Sequence, residues 1–73
     1  MTKIVSKRLK GVIVEHNMTY CELSKKMGIS KNSLGRKING QYSWLYRELI
    51  FIVKFFGFSE VKEIFPELYN SVP

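Results

Sequence analysis

The sequence predicts an all-α protein, a compact bundle of about five short helices that forms a single domain over residues 1–73. Two observations lead to this prediction. Apolar residues recur at helical spacing along most of the chain, and no convincing alternating run indicates a strand. Capping residues and glycines divide the chain into segments of helix length. The chain is 45% hydrophobic with two prolines, so we expect it to fold, with fraying confined to its last residues.

Start or stop signals mark every predicted helix after the first. A first helix follows from apolar periodicity alone. The second starts with the capping box that Thr19 forms with Glu22 and stops at Gly28, and Ser30 caps the third. Ser43 is expected to cap the fourth, and a short fifth opens near Ser59 and ends near Pro66. The predicted helices cover about residues 4–16, 19–27, 31–39 and 44–56, with the fifth after them.

Charge and aromatic residues are distributed unevenly along the chain. The net charge is +6, with nine basic and two acidic side chains in residues 1–40 and three basic and four acidic in residues 41–73. Nine of the ten aromatic residues lie after residue 40. The first part therefore indicates a surface that faces a polyanion, and the second indicates core and apolar contact surface. The alternative is that the net charge merely keeps a small protein in solution.

Several classes of function are disfavoured by composition. Cys21 is the one cysteine and His16 the one histidine, so no disulfide, metal-ligand set or nucleophile–base pair is indicated. No phosphate-binding glycine loop or paired-carboxylate motif is apparent. We expect no enzymatic activity, no cofactor and no metal. With no signal peptide and no apolar run of ~20 residues, the chain is expected in the cytoplasm and not in a membrane.

Residues 19–40 have the length and turn chemistry of a helix-turn-helix. The ordered set comprises Thr19-x-x-Glu22-Leu23, Gly28-Ile29-Ser30, Leu34 and Ile38-Asn39-Gly40. In these residues the chain resembles the lambda-repressor-like family, which includes the Cro and XRE-type regulators, and the likeness extends over about residues 9–58. The small size is most similar to that of a phage Cro-type protein that acts in the switch between lysis and lysogeny. The resemblance implies a transcription regulator that binds operator DNA in the cytoplasm of a bacterial host.

Two departures from the family pattern bear on the site. Tyr20 stands where many members have a glutamine that binds a phosphate, and its hydroxyl can substitute. Ile13 and Ile38 stand where many members pair an arginine with a glutamate. Because both partners are apolar together, this indicates an ion pair replaced by a hydrophobic contact.

The third helix has one face suited to reading bases. On a helical wheel Leu34 and Ile38 point to the core, and Asn32 and Arg36 point about 160° and 200° from Leu34, away from it. Arginine can bind the O6 and N7 atoms of guanine, and asparagine can bind adenine. Gly35 costs ~1 kcal/mol inside a helix, which close approach to DNA or to another helix would explain. The predicted base-reading residues are Lys31, Asn32, Ser33 and Arg36.

Phosphate contacts are expected from groups around the third helix. The N-terminus of the second helix offers backbone N–H groups and the positive end of its dipole to an anion. The family often places further backbone contacts after the third helix. The predicted phosphate contacts are Thr19, Tyr20, Lys37, Asn39, Gln41 and Tyr42.

The fourth helix is apolar nearly all round, which indicates burial on all sides. A domain of this size covers only one side, so we expect the other to contact a protein, a homodimer being the natural arrangement. The alternative is that the fifth helix covers the remainder. The predicted protein-contact residues are Trp44, Tyr46, Phe51 and Phe55.

Two functions remain from different classes. In the first, the chain is a dimeric, sequence-specific regulator that places its third helix in the major groove of operator half-sites. In the second, it is an antirepressor or modulator that forms a heteromeric complex with a phage repressor. That complex would use either the helix-turn-helix face or the aromatic fourth helix. The basic first part favours DNA, and the later aromatic residues favour a protein partner.

Overall fold

The computed structural model describes residues 3–69, which form five α-helices and a final 3₁₀ turn. The helices are α1 (Lys7–Glu15), α2 (Tyr20–Met27), α3 (Lys31–Ile38), α4 (Tyr46–Phe55) and α5 (Val61–Ile64), and the 3₁₀ turn is Pro66–Leu68. The predicted all-α bundle is confirmed. The fraying expected at the last residues concerns positions 70–73, outside the described part of the chain.

The first helix begins later than the sequence predicted. Residues 3–6 lie outside the helix, and Val5 forms an isolated antiparallel bridge with Asn39. The Ser6 N–H donates to the carbonyl of Ile38 at 2.8 Å. Periodicity alone placed this segment in a helix, and that prediction is wrong because the segment pairs with the end of α3 instead. Ile4 still enters the core, from an extended backbone.

The helix pair α2–α3 forms as its capping residues predicted. The Thr19 hydroxyl accepts the N–H of Glu22 at 3.1 Å, and the Glu22 carboxylate accepts the N–H of Thr19 at 2.9 Å. Gly28 adopts a left-handed φ of +75°, which ends α2. Ser30 then caps α3 by accepting the N–H of Ser33 at 3.0 Å. These local bonds orient two short helices about a three-residue turn.

The fourth helix begins two residues later than predicted, and Ser43 does not cap it. The Glu48 carboxylate accepts the N–H of Leu45 at 2.8 Å and so satisfies a donor at the start of α4. Trp44 precedes the helix and is fully buried. Its Nε1 donates to Ser6 Oγ at 3.2 Å, and its ring packs edge-on against Phe65 at 5.2 Å. Burial of this large side chain determines the path of the connection.

One hydrophobic cluster joins all five helices. Its buried members are Ile4, Leu9, Val12, Ile13, Leu23, Leu34, Ile38, Trp44, Leu49, Ile52, Val53, Ile64 and Phe65. Ile13 and Ile38, the two residues expected to form a hydrophobic contact, are both in this cluster. Within residues 3–69, no helix is long and apolar enough to span a bilayer.

Candidate nucleic-acid interface

The exposed face of α3 carries the polar side chains that the helical wheel placed there. Leu34 and Ile38 are completely buried, whereas Asn32 and Arg36 are exposed one turn apart on the opposite face. Lys31 is also exposed, in the first turn. The orientation of α3 is therefore set by two buried aliphatic residues, which leave the Asn32 amide and the Arg36 guanidinium on the exposed side of the helix.

A shallow groove connects this face with the start of α2. It is lined by Tyr20, Lys31, Asn32, Gly35, Arg36 and Asn39. Five of these six are predicted DNA contacts, and the tertiary structure brings them together from two helices. A Cβ on Gly35 would lie 4.0 Å from Tyr20 Cδ2, an ordinary van der Waals distance. Packing between α2 and α3 therefore does not require a glycine at this position.

The N-terminus of α2 supplies backbone donors more readily than side chains. The Thr19 hydroxyl accepts from Glu22 N and lies 3.3 Å from Glu22 Oε1, so the capping box occupies it. The backbone N–H of Thr19, which was expected to be offered to a phosphate, donates to Glu22 Oε1 at 2.9 Å, so the capping box engages this group as well. The N–H groups of Tyr20 and Cys21 lie in the first turn, where helical geometry provides no partner. Tyr20 is half-buried, and burial raises the pKa of its phenol, so the hydroxyl stays protonated at neutral pH and can donate.

Ser33 lies at the edge of the polar face. Its hydroxyl accepts a hydrogen bond from Ser30 Oγ at 2.9 Å, and its backbone N–H donates to the same atom. The side chain is half-buried and does not line the groove. Ser33 is thus part of the cap of α3, and Asn32 and Arg36 are better placed to reach a base.

Lys37, a predicted phosphate contact, has its ammonium group engaged within the protein, and its role toward DNA stays a prediction. Its Nζ lies 3.0 Å from Glu48 Oε1 and donates to the carbonyl of Ser43 at 3.0 Å. The two side chains are only 12% and 10% exposed. The ion pair links the end of α3 to the start of α4, so the charge of Lys37 is compensated inside the protein.

The loop after α3 folds back onto Arg36. The N–H groups of Gln41 and Tyr42 both donate to the Arg36 carbonyl, at 2.8 and 3.2 Å. The Arg36 side chain donates from Nη1 to the Tyr42 hydroxyl at 2.7 Å. Gln41, Tyr42 and Asn39 are exposed, as their predicted role requires. The loop therefore forms one flank of the polar face.

Sequence reasoning did not associate the N-terminal segment with this surface. The bridge between Val5 and Asn39 brings residues 3–6 alongside the end of α3, and Lys3 is exposed in that segment. The apolar spacing of Ile4 and Val5 gave no indication of a bridge.

The candidate face carries uncompensated positive charge. The ion pairs found among residues 3–69 join Lys37 to Glu48 and Lys62 to Glu60, and neither involves Lys31 or Arg36. Those two side chains therefore present positive charge and directed hydrogen-bond donors next to the Asn32 amide. A polyanion with exposed hydrogen-bonding edges is the ligand class that this combination suits.

Comparison with models of protein families, with curated proteins and with solved structures finds no match for this chain. The geometry of the site itself must therefore support any functional conclusion.

A second surface is formed by aromatic side chains of α4. Tyr46 is 65% and Phe55 39% exposed, and half-buried Phe51 stacks on Phe55 with ring centroids 5.7 Å apart. Trp44, predicted to join them, is fully buried against Phe65, so its side chain is not exposed on this surface. The last helix does not cover all of the remaining surface of α4, as the alternative expected, because Tyr46 and Phe55 remain exposed.

The isolated histidine and cysteine do not assemble into a reactive group. His16 ends α1, where Nδ1 lies 2.9 Å from the carbonyl of Val12 and the ring packs edge-on against Phe56. Cys21 is exposed in the first turn of α2. His16 is thus explained by its contacts at the end of a helix.

Proposed function

We propose that this chain is a sequence-specific regulator that binds double-stranded DNA by placing α3 in the major groove. One observation supports this above the others: Asn32 and Arg36 project from α3 one turn apart, opposite the buried Leu34 and Ile38. An α-helix fits the major groove, and these two side-chain types make bidentate contacts with adenine and guanine. The reading elements are thus a rigid helix and two planar polar groups.

The flanking groups suit the phosphate backbone. The first turn of α2 opens onto the same groove as the face of α3, and it offers unpaired N–H groups and the phenol of Tyr20. Asn39 and Gln41 lie exposed at the other end of α3. Such contacts fix the register of the helix in the groove without reading sequence.

A regulator of this kind typically reads two half-sites as a two-fold dimer. The exposed rings of Tyr46 and Phe55 on α4 provide apolar area for self-association. A Cro-like repressor that acts in the cytoplasm of a bacterial host is the biological role that we propose.

A pair of charge-matched variants tests the base-reading role of Arg36. Arg36→Ala and Lys62→Ala each remove one positive charge, but Lys62 lies on α5 and is 61% exposed. On the best DNA site, Arg36→Ala is expected to cost ~1–3 kcal/mol and to relax preference at one base pair, while Lys62→Ala leaves preference unchanged. Fluorescence anisotropy on matched and single-substituted duplexes measures both. Equal effects of the two variants on all duplexes would contradict base reading by Arg36.

A second candidate function is supported by the aromatic surface of α4. In this alternative the chain is an antirepressor that binds a repressor protein through Tyr46 and Phe55. Phe55→Ala would then abolish the protein complex while the helical circular dichroism spectrum is retained. On the DNA-reading proposal, the same variant weakens dimer-dependent binding to paired half-sites but leaves binding to a single half-site intact.

A further inference from the structure

The side chain of Arg36 is held by a contact within the protein. Its Nη1 donates to the Tyr42 hydroxyl at 2.7 Å, a short distance typical of a charge-assisted hydrogen bond. The guanidinium carbon lies 5.5 Å from the centroid of the Tyr42 ring. That distance is near the ~6 Å limit for a cation–π contact, so the hydroxyl hydrogen bond is the stronger of the two interactions.

The backbone holds the same two residues together. The Arg36 carbonyl accepts the N–H of Tyr42 at 3.2 Å and that of Gln41 at 2.8 Å. The loop can make this turn because Gly40 has a φ of +82°. Gly40 also packs closely against the backbone of Ile4: a Cβ at position 40 would lie 3.2 Å from the Ile4 carbonyl carbon. The tyrosine hydroxyl is thus presented to Arg36 from a loop that is tied at both ends.

We infer that Tyr42 is a positioning residue for Arg36, which orients the guanidinium to read a guanine in the DNA half-site. This inference rests on the proposed function. A free arginine side chain loses considerable rotamer entropy when its planar group docks on a base. An arginine already oriented by a tyrosine loses less, so more of its hydrogen bonding contributes to affinity for the matching base.

Arg36 has enough N–H donors to bind the Tyr42 hydroxyl and a guanine at the same time. Arginine has five N–H donors, and the Tyr42 hydroxyl takes one of them. The remaining donors include two parallel N–H groups, which is what guanine O6 and N7 require. The exposed position of both side chains, with Tyr42 41% exposed, leaves that edge open to a ligand.

Positioning makes a different prediction from a direct phosphate contact by Tyr42. Loss of a phosphate contact weakens binding to all sequences by a similar factor and makes the salt dependence shallower. Loss of positioning reduces discrimination between guanine and the other bases at one position. When Arg36 is already absent, removing the Tyr42 hydroxyl should have no effect on guanine discrimination, because the two residues act as a coupled pair.

The test is a double-mutant cycle on guanine discrimination. Tyr42→Phe removes the hydroxyl and keeps the ring, and Tyr69→Phe is the matched control because Tyr69 is 56% exposed and lies outside both candidate surfaces. We expect Tyr42→Phe to reduce the affinity ratio between the guanine duplex and its substituted counterpart by about two- to tenfold. Tyr69→Phe is expected to leave the ratio unchanged. In an Arg36→Ala background, Tyr42→Phe should also leave it unchanged.

A measurement without DNA separates this inference from the proposed function. NMR relaxation of the Arg36 Nε–H group in the free protein reports how rigidly the side chain is held, and Tyr42→Phe should lower its order parameter. If the wild type prefers no sequence, the proposed function fails and the positioning role fails with it. If the wild type prefers guanine but Tyr42→Phe changes neither the ratio nor the order parameter, only the positioning role is overturned. Uniform weakening with a shallower salt slope would instead identify Tyr42 as a phosphate contact and overturn the inference.

Discussion

Replacing Gly35 by alanine should separate stability from DNA binding. Gly35 lies inside α3, where glycine costs ~1 kcal/mol relative to alanine. A Cβ at this position would meet only Tyr20 Cδ2, at 4.0 Å, so the added methyl introduces no clash within the protein. We expect the free energy of unfolding to rise by ~1 kcal/mol. For a domain of this size, that corresponds to an increase in Tm of about 4–8 °C.

DNA binding should change in the opposite direction. Gly35 lines the groove between Tyr20 and the reading face, which the proposed function fills with the DNA backbone. A methyl group forced into a filled contact costs ~1–3 kcal/mol, which lowers affinity about fivefold or more. The variant would therefore be more stable and a weaker binder. A simple loss of folding cannot produce that combination.

Gly11→Ala is the matched control for this experiment. Gly11 also lies inside a helix, is exposed, and would place its Cβ in open space away from the groove. It should give a similar gain in Tm with unchanged DNA affinity. Thermal unfolding followed by circular dichroism measures the stability, and fluorescence anisotropy on a labelled duplex measures the affinity. If Gly35→Ala binds DNA as tightly as Gly11→Ala, the reasoning that DNA occupies the groove is refuted.

Four further substitutions test other parts of the structure. Gly40→Ala should lower the free energy of unfolding by ~1–3 kcal/mol, because φ is +82° and the Cβ would lie 3.2 Å from backbone; an unchanged urea midpoint would contradict this. Lys37→Met should cost up to ~3 kcal/mol by leaving the Glu48 charge buried, without altering the salt slope of DNA binding. A shallower slope in titrations at several salt concentrations would restore Lys37 as a phosphate contact. Trp44→Ala should cost ~3–5 kcal/mol in urea unfolding, whereas Phe55→Ala should cost at most ~1.5 kcal/mol; equal losses would show that Phe55 belongs to the core.

Local chemistry made the helix pair predictable from sequence. Thr19 with Glu22 determines where α2 begins, Gly28 where it ends, and Ser30 where α3 begins. All of these act through hydrogen bonds between residues three or four apart. The core-facing direction of α3 follows from the positions of Leu34 and Ile38 alone. Asn32 and Arg36 could therefore be placed on its exposed face without knowledge of the rest of the fold.

The errors arose where distant residues determine the structure. Trp44 leaves the predicted fourth helix because its indole donates to Ser6, which is 38 residues away in the chain. The Lys37 side chain is engaged within the protein because its ammonium forms an ion pair with Glu48, on another helix. Neither partner is indicated by spacing, since both contacts depend on how the helices pack. The contact between Tyr42 and Arg36 depends likewise on the path of the loop after α3, which spacing does not indicate.

The central claim is that α3 reads the sequence of duplex DNA. Selection of bound duplexes from a randomised pool, repeated at two salt concentrations and followed by sequencing, tests it most directly. We predict enrichment of a motif containing a guanine, in paired half-sites about one helical turn apart, with affinity that falls steeply as salt increases. Absence of any enriched motif, with weak binding that salt abolishes, would contradict the claim and leave charge attraction as the only interaction with DNA.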